Sequence, residues 1–379
     1  FTSHNLLPTH CDNQIYVEHD STGKLLAICS AHVDDIKIAA TEQKLAQIVK
    51  ELESAFEKVK VERGTFMHCG IQHIQDMTTY NISLDQDKYI AALRCANVTL
   101  LKDKKDEELL DASHHNVYMS LLGGVAWVTQ TRSDISVYVV NLQRKAKTPN
   151  VGDLKRLNKL ARYMQRRSNK IRYHQLPGPL MLSVAVDSAF RREEDEGHAL
   201  CGALFMLCSS DGKNPGGQVN IIDWTCRKQK HVTRSTWASE LYAMCDAADV
   251  CIYILGFLTE VIHGVFPSAE GLLKLRENNT SGIPIGIATD SCAVFSALKP
   301  RDIKIPAEKN TILHLHWLHE LVQRSIIKYL CRIDTRDMVA DGLNKGCINR
   351  QALRELSSQG KWILEHEFKI HTHTSHTDP

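Results

Sequence analysis

The stretch "LMLSVAVDSAF", residues 180–190, decides the fold. It is a near-continuous apolar run, the pattern of a strand buried on both faces, and it carries one acid, Asp187, near its end. Just upstream, "HQLPGPL" (174–180) sets two prolines around a glycine, a chain break at which we place a domain boundary. Downstream, "HALCGALFML" (198–207) reads as a second strand, "SSDGKNPGG" (209–217) as a turn and "QVNIIDWTCRK" (218–228) as a third strand. A long helix is expected over about 236–263, with Ser235 or Thr236 as N-cap. "IPIGIATD" (283–290) is a fourth strand, followed by a short helix in "SCAVFSAL". A helix near 307–325, the strand "IIKYLCRI" (326–333) and a last helix near 337–345 complete the pattern. Three hairpin strands followed by alternating helices and strands predict a mixed α/β sheet.

Four acids of this half share a logic. Asp187 and Asp290 end strands, Glu240 lies in the first turns of the long helix, and Asp341 sits in "MVADGLNK" (338–345). In an open α/β sheet the functional crevice lies at the carboxyl ends of strands. Carboxylates gathered there raise one another's pKa, and hard divalent cations resolve the repulsion. The four are candidate catalytic and metal-ligating residues, for two Mg2+ ions or Mn2+. Taken singly, each also fits a solvated loop acid or a helix cap.

The first half opens with a hairpin over 13–40, "QIYVEHD" and "KLLAICSAHVDDIKIAA" around "STG". The adjacent acids Asp34 and Asp35 interrupt an apolar run, a costly arrangement if buried without a cation or hydrogen bonds. A helix is expected near 42–57, strands in "VKVERGTFMHCGIQHI" and "TTYNISL", and a short helix in "DQDKYIAALRCANV". Residues 102–116 read as a surface loop, followed by helices near 117–146 and over 151–168. The second helix puts Leu154, Leu157, Leu160, Ala161 and Met164 on one face and Lys155, Lys159, Arg162 and Arg166 on another.

Composition sets outer limits. The 379 residues allow two or three domains. Hydrophobic content of 43% and charged content of 24% are ordinary for a globular protein. No apolar run approaches the ~20 residues of a membrane span, no signal-peptide pattern is present, and no membrane partner is expected. The chain begins with Phe1, as a piece of something longer would. Twelve cysteines without a CxxC argue against a zinc ribbon and for reduced, mostly buried thiols in an intracellular protein. Formal net charge is only +2, yet residues 144–172 hold eleven Lys/Arg against one acid, Asp153. A solvated basic face and a phosphate-tracking face are both open readings of that run. The terminal "HTHTSHTDP" (371–379) reads as low-complexity and disordered.

Taken in order, several blocks resemble the C-terminal part of the Pol polyprotein of copia-type LTR retrotransposons, over roughly residues 5–350. "HVDDIKIA" (32–39) is similar to the family's YVDD block, "FMHCGIQ" (66–72) to its FLGI strand and "ISLDQDKYI" (82–90) to I-x-LSQ-x-x-YI. "YMSLLGGVAWVTQTRSDISVYV" (118–139) resembles YRSLVGSLLYLAxTRPDIAFAV, and "IDWTCRKQKHVTRSTWASELYAM" (222–244) resembles ISWSSKKQxxVALSSTEAEYxA. "TDSCAVFSAL" (289–298) and "DTRDMVADGLNKG" (334–346) are similar to CDNQSAIxLA and TxxQLADxLTK.

The resemblance implies a fold of class α/β (α+β). A truncated reverse transcriptase palm would occupy 1–100 and a helical thumb or connection 101–174. A ribonuclease H-like mixed five-stranded sheet with flanking helices would occupy 178–346, with a C-terminal tail over 347–379. It places the ribonuclease H acids on Asp187, Glu240, Asp290 and Asp341, and two polymerase metal-binding aspartates on Asp34 and Asp35. It implies hydrolysis of RNA in an RNA–DNA hybrid. Lys155, Lys159, Arg162, Arg166, Arg227, Lys228 and Lys230 are candidate nucleic-acid contacts. Partners would be the hybrid and the rest of Pol, and the location the cytoplasm, in a virus-like particle, or the nucleus. Because the family's third polymerase aspartate belongs upstream, no DNA polymerisation is expected of this chain alone. The departures are His32 for the family's tyrosine, Ser133 for proline, Asn344 for threonine, and no histidine between Cys331 and Asp341. The alternatives are an inactive remnant that at most binds nucleic acid, and a transposase or resolvase, against which the palm-like blocks speak.

Overall fold

A computed structural model describes residues 5–56, 58–190, 198–209, 215–268, 270, 271, 274, 282–300 and 302–372. Among them the strands form three sheets. The first joins β1 (Leu7–Pro8), β2 (Ile15–His19), β3 (Leu25–His32) and β4 (Asp35–Ala40) in sequence order. The expected hairpin over 13–40 is thus a meander, because the chain turns a second time at Val33 and Asp34. Asp34 is exposed in that turn and Asp35 is exposed at the start of β4, so neither meets the burial cost the apolar run suggested. Helix α1 (Glu42–Ala55) follows, capped by Thr41.

The second sheet is β5 (Thr65–His68), β6 (Ile71–Gln75), β7 (Ile82–Asp85) and β8 (Ile171–Tyr173). Between β7 and β8 lie α2 (Asp87–Ala92), α3 (Ala112–Val128), α4 (Ser136–Gln143) and α5 (Val151–Arg166). Two expectations shift here. The loop expected over 102–116 ends early, because Asp111 caps α3 by accepting from the His114 amide. The helix expected near 117–146 is broken in two. Arg132 and Asp134 are wholly buried and paired at the break, Nε to Oδ1 at 2.8 Å and Nη2 to Oδ2 at 3.0 Å. Arg132 also donates to the Arg167 carbonyl at 2.7 Å and Tyr163 Oη to Asp134 at 3.0 Å. Closing that network requires the chain to turn, so tertiary bonding overrides the helical pattern. Helix α5 keeps its expected apolar face: Leu154, Leu157, Leu160, Ala161 and Met164 are buried, and Asn150 and Asp153 form a reciprocal capping box.

The third sheet holds β9 (Leu180–Ala189), β10 (Leu200–Ser209), β11 (Gly217–Lys228), β12 (Ile285–Thr289) and β13 (Ile327–Arg332) in the order β11-β10-β9-β12-β13. β9, β10 and β11 are antiparallel neighbours, while β12 runs parallel to both β9 and β13. One face packs on α6 (Thr236–His263), α7 (Cys292–Leu298) and α8 (Ile312–Gln323), burying Val184, Val186 and Phe205. The other face, with Ala185, Leu204 and Met206, packs on α9 (Asp341–Asn344) and α10 (Gln351–Gln359). Burial on both faces explains the unbroken apolar character of 180–190. Helix α6 is long and apolar enough to cross a membrane by length and composition, but most of that stretch is packed against this core.

The five-stranded sheet is extended to seven. The segment expected as a tail, 347–379, forms α10, then β14 (Lys361–Trp362) against β11 and β15 (Lys369–His371) against β13. Trp362, 2% exposed, anchors it. Disorder was expected from 371 onward, but His371 pairs with Leu330 as the last residue of β15, and 373–379 lie outside the described residues. The break at 174–180 is a covalent link between packed parts. Ile171 of β8 enters the core of the third sheet, and His174 exchanges hydrogen bonds with Asn220 at 2.9 and 2.8 Å.

Candidate active site

Strand alternation puts residues 183, 185 and 187 of β9 on the face that α9 covers. The parallel register pairs Ala288 of β12 with Ala185 of β9. Two residues further, Asp290 arrives beside Asp187. Gly202 pairs with Asp187 across β10. A Cβ on Gly202 would lie 2.9 Å from Leu343 Cβ and 3.0 Å from the Ala340 carbonyl oxygen. Only glycine lets α9 come this close and bring Asp341 over β9.

The result is a carboxylate cluster. Oxygens of Asp187, Asp290 and Asp341 lie within 4.8 Å of one another. Asp187 is 1% exposed and Asp341 9%. Burial, then the charge of Asp187, pushes Asp341 up to about 7. Burial and Asp187 likewise raise Asp290, partly offset by a hydrogen bond from Thr335 Oγ1 at 2.9 Å. Glu240 lies outside the triad but feels it. Burial, then Asp187 and Asp290, pushes it up to about 9, against the opposing pull of Lys345 and a Ser188 backbone hydrogen bond.

Two residues beside the acids were not in the candidate set. Lys345 Nζ stands 2.5 Å from Asp341 Oδ1 and 3.2 Å from Asp187 Oδ2. Burial opposes its charge, but the two carboxylates outweigh this and raise its pKa. Asn344, fully buried, donates through Nδ2 to Asp187 Oδ2 at 2.8 Å, to the Asp187 carbonyl at 3.0 Å and to the Leu200 carbonyl at 3.3 Å. The spacing of Lys345 from Asp341, one helical turn, was the available signal for the first. Nothing local marks the second. The donor set is all hard oxygen, crowded and short of positive charge, and could hold a divalent cation.

The basic candidates divide. Lys159, Arg162, Arg166 and Lys230 are exposed. Lys155, expected on a free face, is paired with Asp106 at 2.8 Å, and Arg227 with Asp246 at 3.0 Å. The structure brings Lys159 and Lys228 together in one cleft of roughly 1280 Å3 between α4, α5 and residues 346–350. Arg144, Lys145, Arg156 and Arg354 also line it, with Asp153 as the acid. Its walls are held by Tyr138, whose hydroxyl donates to the Gly346 carbonyl at 3.0 Å and accepts from Arg350 at 2.8 Å. Asp34 and Asp35 lie apart from the three-aspartate cluster, on the first sheet.

No family model matches the chain. The retrovirus-related Pol polyprotein from transposon RE1 of Arabidopsis thaliana is 21% identical over 352 residues, covering 89% of this chain and 22% of its own length. The chain therefore spans about a fifth of that curated relative. A solved structure of LC11-RNase H1, isolated from compost by a metagenomic approach, aligns with 43% of this chain and 91% of its own at 13% identity. Its TM-score of 0.27 adds nothing to the topology described above. Over nearly its whole length, this chain is similar to a copia-type, retrovirus-related Pol polyprotein, in the C-terminal region of that protein.

Proposed function

We propose that the part of the chain over 178–346 is a metal-dependent nuclease that hydrolyses the RNA strand of RNA–DNA hybrids. The observation that carries this reading is the approach of Asp187, Asp290 and Asp341 to within 4.8 Å. With Glu240 at the margin, they would hold two Mg2+ ions, or Mn2+. Ions so bound activate a water and stabilise the leaving oxygen of a phosphodiester. The protein's own contribution is positional. Asn344 and the sheet fix Asp187, Thr335 orients Asp290, and Gly202 admits α9 with Asp341. Lys345 balances the cluster until a cation replaces that charge.

The segments 1–100 and 101–174 fit a palm remnant and a thumb or connection, and we assign no polymerisation to them alone. Lys159 and Lys228 in the basic cleft, with exposed Arg162, Arg166 and Lys230, would track the hybrid backbone, giving little sequence preference and strong salt dependence.

The test is cleavage of a labelled hybrid by the purified chain with Mg2+, beside Asp290→Asn. Removing one acid should reduce the rate more than about 100-fold, beyond what the loss of an outer-shell partner costs a metal site. Absence of metal-dependent cleavage, or cleavage indifferent to the substitution, would favour the inactive-remnant reading.

A further inference from the structure

A second group of ligand atoms lies far along the chain from the acids discussed above. Asp35, His68 and Cys69 each present an atom within 4.8 Å of the other two. They come from two hairpin turns in different sheets: Asp35 opens β4, while His68 ends β5 and Cys69 begins the turn to β6. That turn is built at a cost. Cys69 (φ 49°) and Gly70 (φ 72°) both lie in the left-handed region, the geometry of a two-residue hairpin loop. Asn, Asp or Gly usually fills the first position, and a cysteine there is strained. The neighbouring turn carries a similar outlier in Val33 (φ 53°).

Three further groups face the cluster. His32 pairs with Asp35 across its turn, and Lys37 and His32 both act on His68. His73 lies 6.0 Å from His68, ring to ring, with Nδ1 held by the Ile71 carbonyl at 3.1 Å. Burial, then Lys37, lowers the pKa of His68, with Asp35 opposing. Burial also lowers Lys37, with Cys69 opposing.

We propose that Asp35, His68 and Cys69 form a site for a borderline-soft divalent cation of the zinc class that clips the two hairpins together. The mixed oxygen, nitrogen and sulfur set suits zinc or cobalt rather than magnesium. Ligand separations of at most 4.8 Å exceed the about 3.5 Å of a tetrahedral zinc shell by a distance that side-chain rotation closes. Cys69 binds as thiolate, so its proton is released to solvent as the cation enters. Three protein ligands leave one position for water or for His32.

The experiment is a cobalt titration of the metal-free full chain, read by absorption. Expected is one Co2+ per chain with a thiolate-to-cobalt charge-transfer band, abolished by excess Zn2+ and lost in Cys69→Ser and His68→Ala. The band reports sulfur, so cobalt held by the three-aspartate cluster or the C-terminal histidines does not imitate it. No band when the chain is saturated with cobalt, or a band that survives either substitution in folded protein, overturns the proposal. Should either variant fail to fold, Asp35→Asn at its exposed position decides. A loss of cobalt affinity of about tenfold or more supports the site, and an unchanged affinity overturns it.

Discussion

Gly202 and Leu343 approach so closely that a side chain on the glycine would place its Cβ 2.9 Å from Leu343 Cβ. This contact sets the height of α9 above the sheet, and so the distance from Asp341 to Asp187. Gly202→Val must push α9 outward. We expect hybrid cleavage to fall about 100-fold, since a misplacement near 1 Å is enough for that, with a stability loss of about 1–3 kcal/mol from overpacking. Kinetics and urea unfolding on the same preparation check both. Full activity in Gly202→Val would show that α9 has room to spare.

The acid cluster makes a pH prediction. Asp341 is raised to about 7 and Glu240 to about 9, so the folded chain holds protons that the unfolded chain has released. Stability from this source is complete below the unfolded carboxylate range and is lost as pH rises through 7 and 9. In EDTA, Asp341→Asn should therefore lose less stability than the unsubstituted chain between pH 5 and 8. Added Mg2+ should oppose the loss in the unsubstituted chain. Denaturant midpoints at the two pH values measure this, and identical pH slopes for both proteins would contradict it.

The basic cleft predicts an order among lysines. Lys159→Ala and Lys228→Ala should weaken hybrid binding and each reduce the salt slope by about one unit, as expected for one lost phosphate contact. Lys155→Ala should change binding little, because that ammonium is already spent on Asp106. Affinities measured across a salt series separate the two cases. A Lys155 effect as large as that of Lys159 would place the backbone elsewhere on α5.

The buried pair Arg132–Asp134 predicts a structural defect. Asp134→Ala strands a fully buried guanidinium and should cost about 3–5 kcal/mol, the range for breaking a buried ion pair. The loss should appear in chemical denaturation and spread to the contacts of Tyr163 and Arg354. A variant as stable as the parent would mean that water reaches Arg132.

Local pattern alone was enough for the elements of the third sheet. The apolar run at 180–190, the cap at Ser235 and the strand-then-acid pattern at Asp290 each appear where expected, because each is dictated by residues adjacent in sequence. The break at Arg132 was not legible, since its cause is a network with Arg167 and Tyr163, more than 25 residues away in the chain. Nor were β14 and β15, strands of two and three residues whose only pattern is the sheet edge they find.

The sequence by itself named four acids that could act together, because strand ends and helix starts are local facts, and the structure gathers Asp187, Asp290 and Asp341 while leaving Glu240 outside that group. Tertiary structure decided what surrounds them. Asn344 and Lys345 belong to the cluster only because Gly202 lets α9 settle on β9. Lys159 and Lys228 share a cleft only because α5 packs beside residues 346–350. Asp34 and Asp35, which the sequence set inside an apolar run, are exposed because the chain turns there. Spacing fixes which side chains a strand or helix presents. Packing between distant segments fixes their charge, burial and partners, and those control the chemistry.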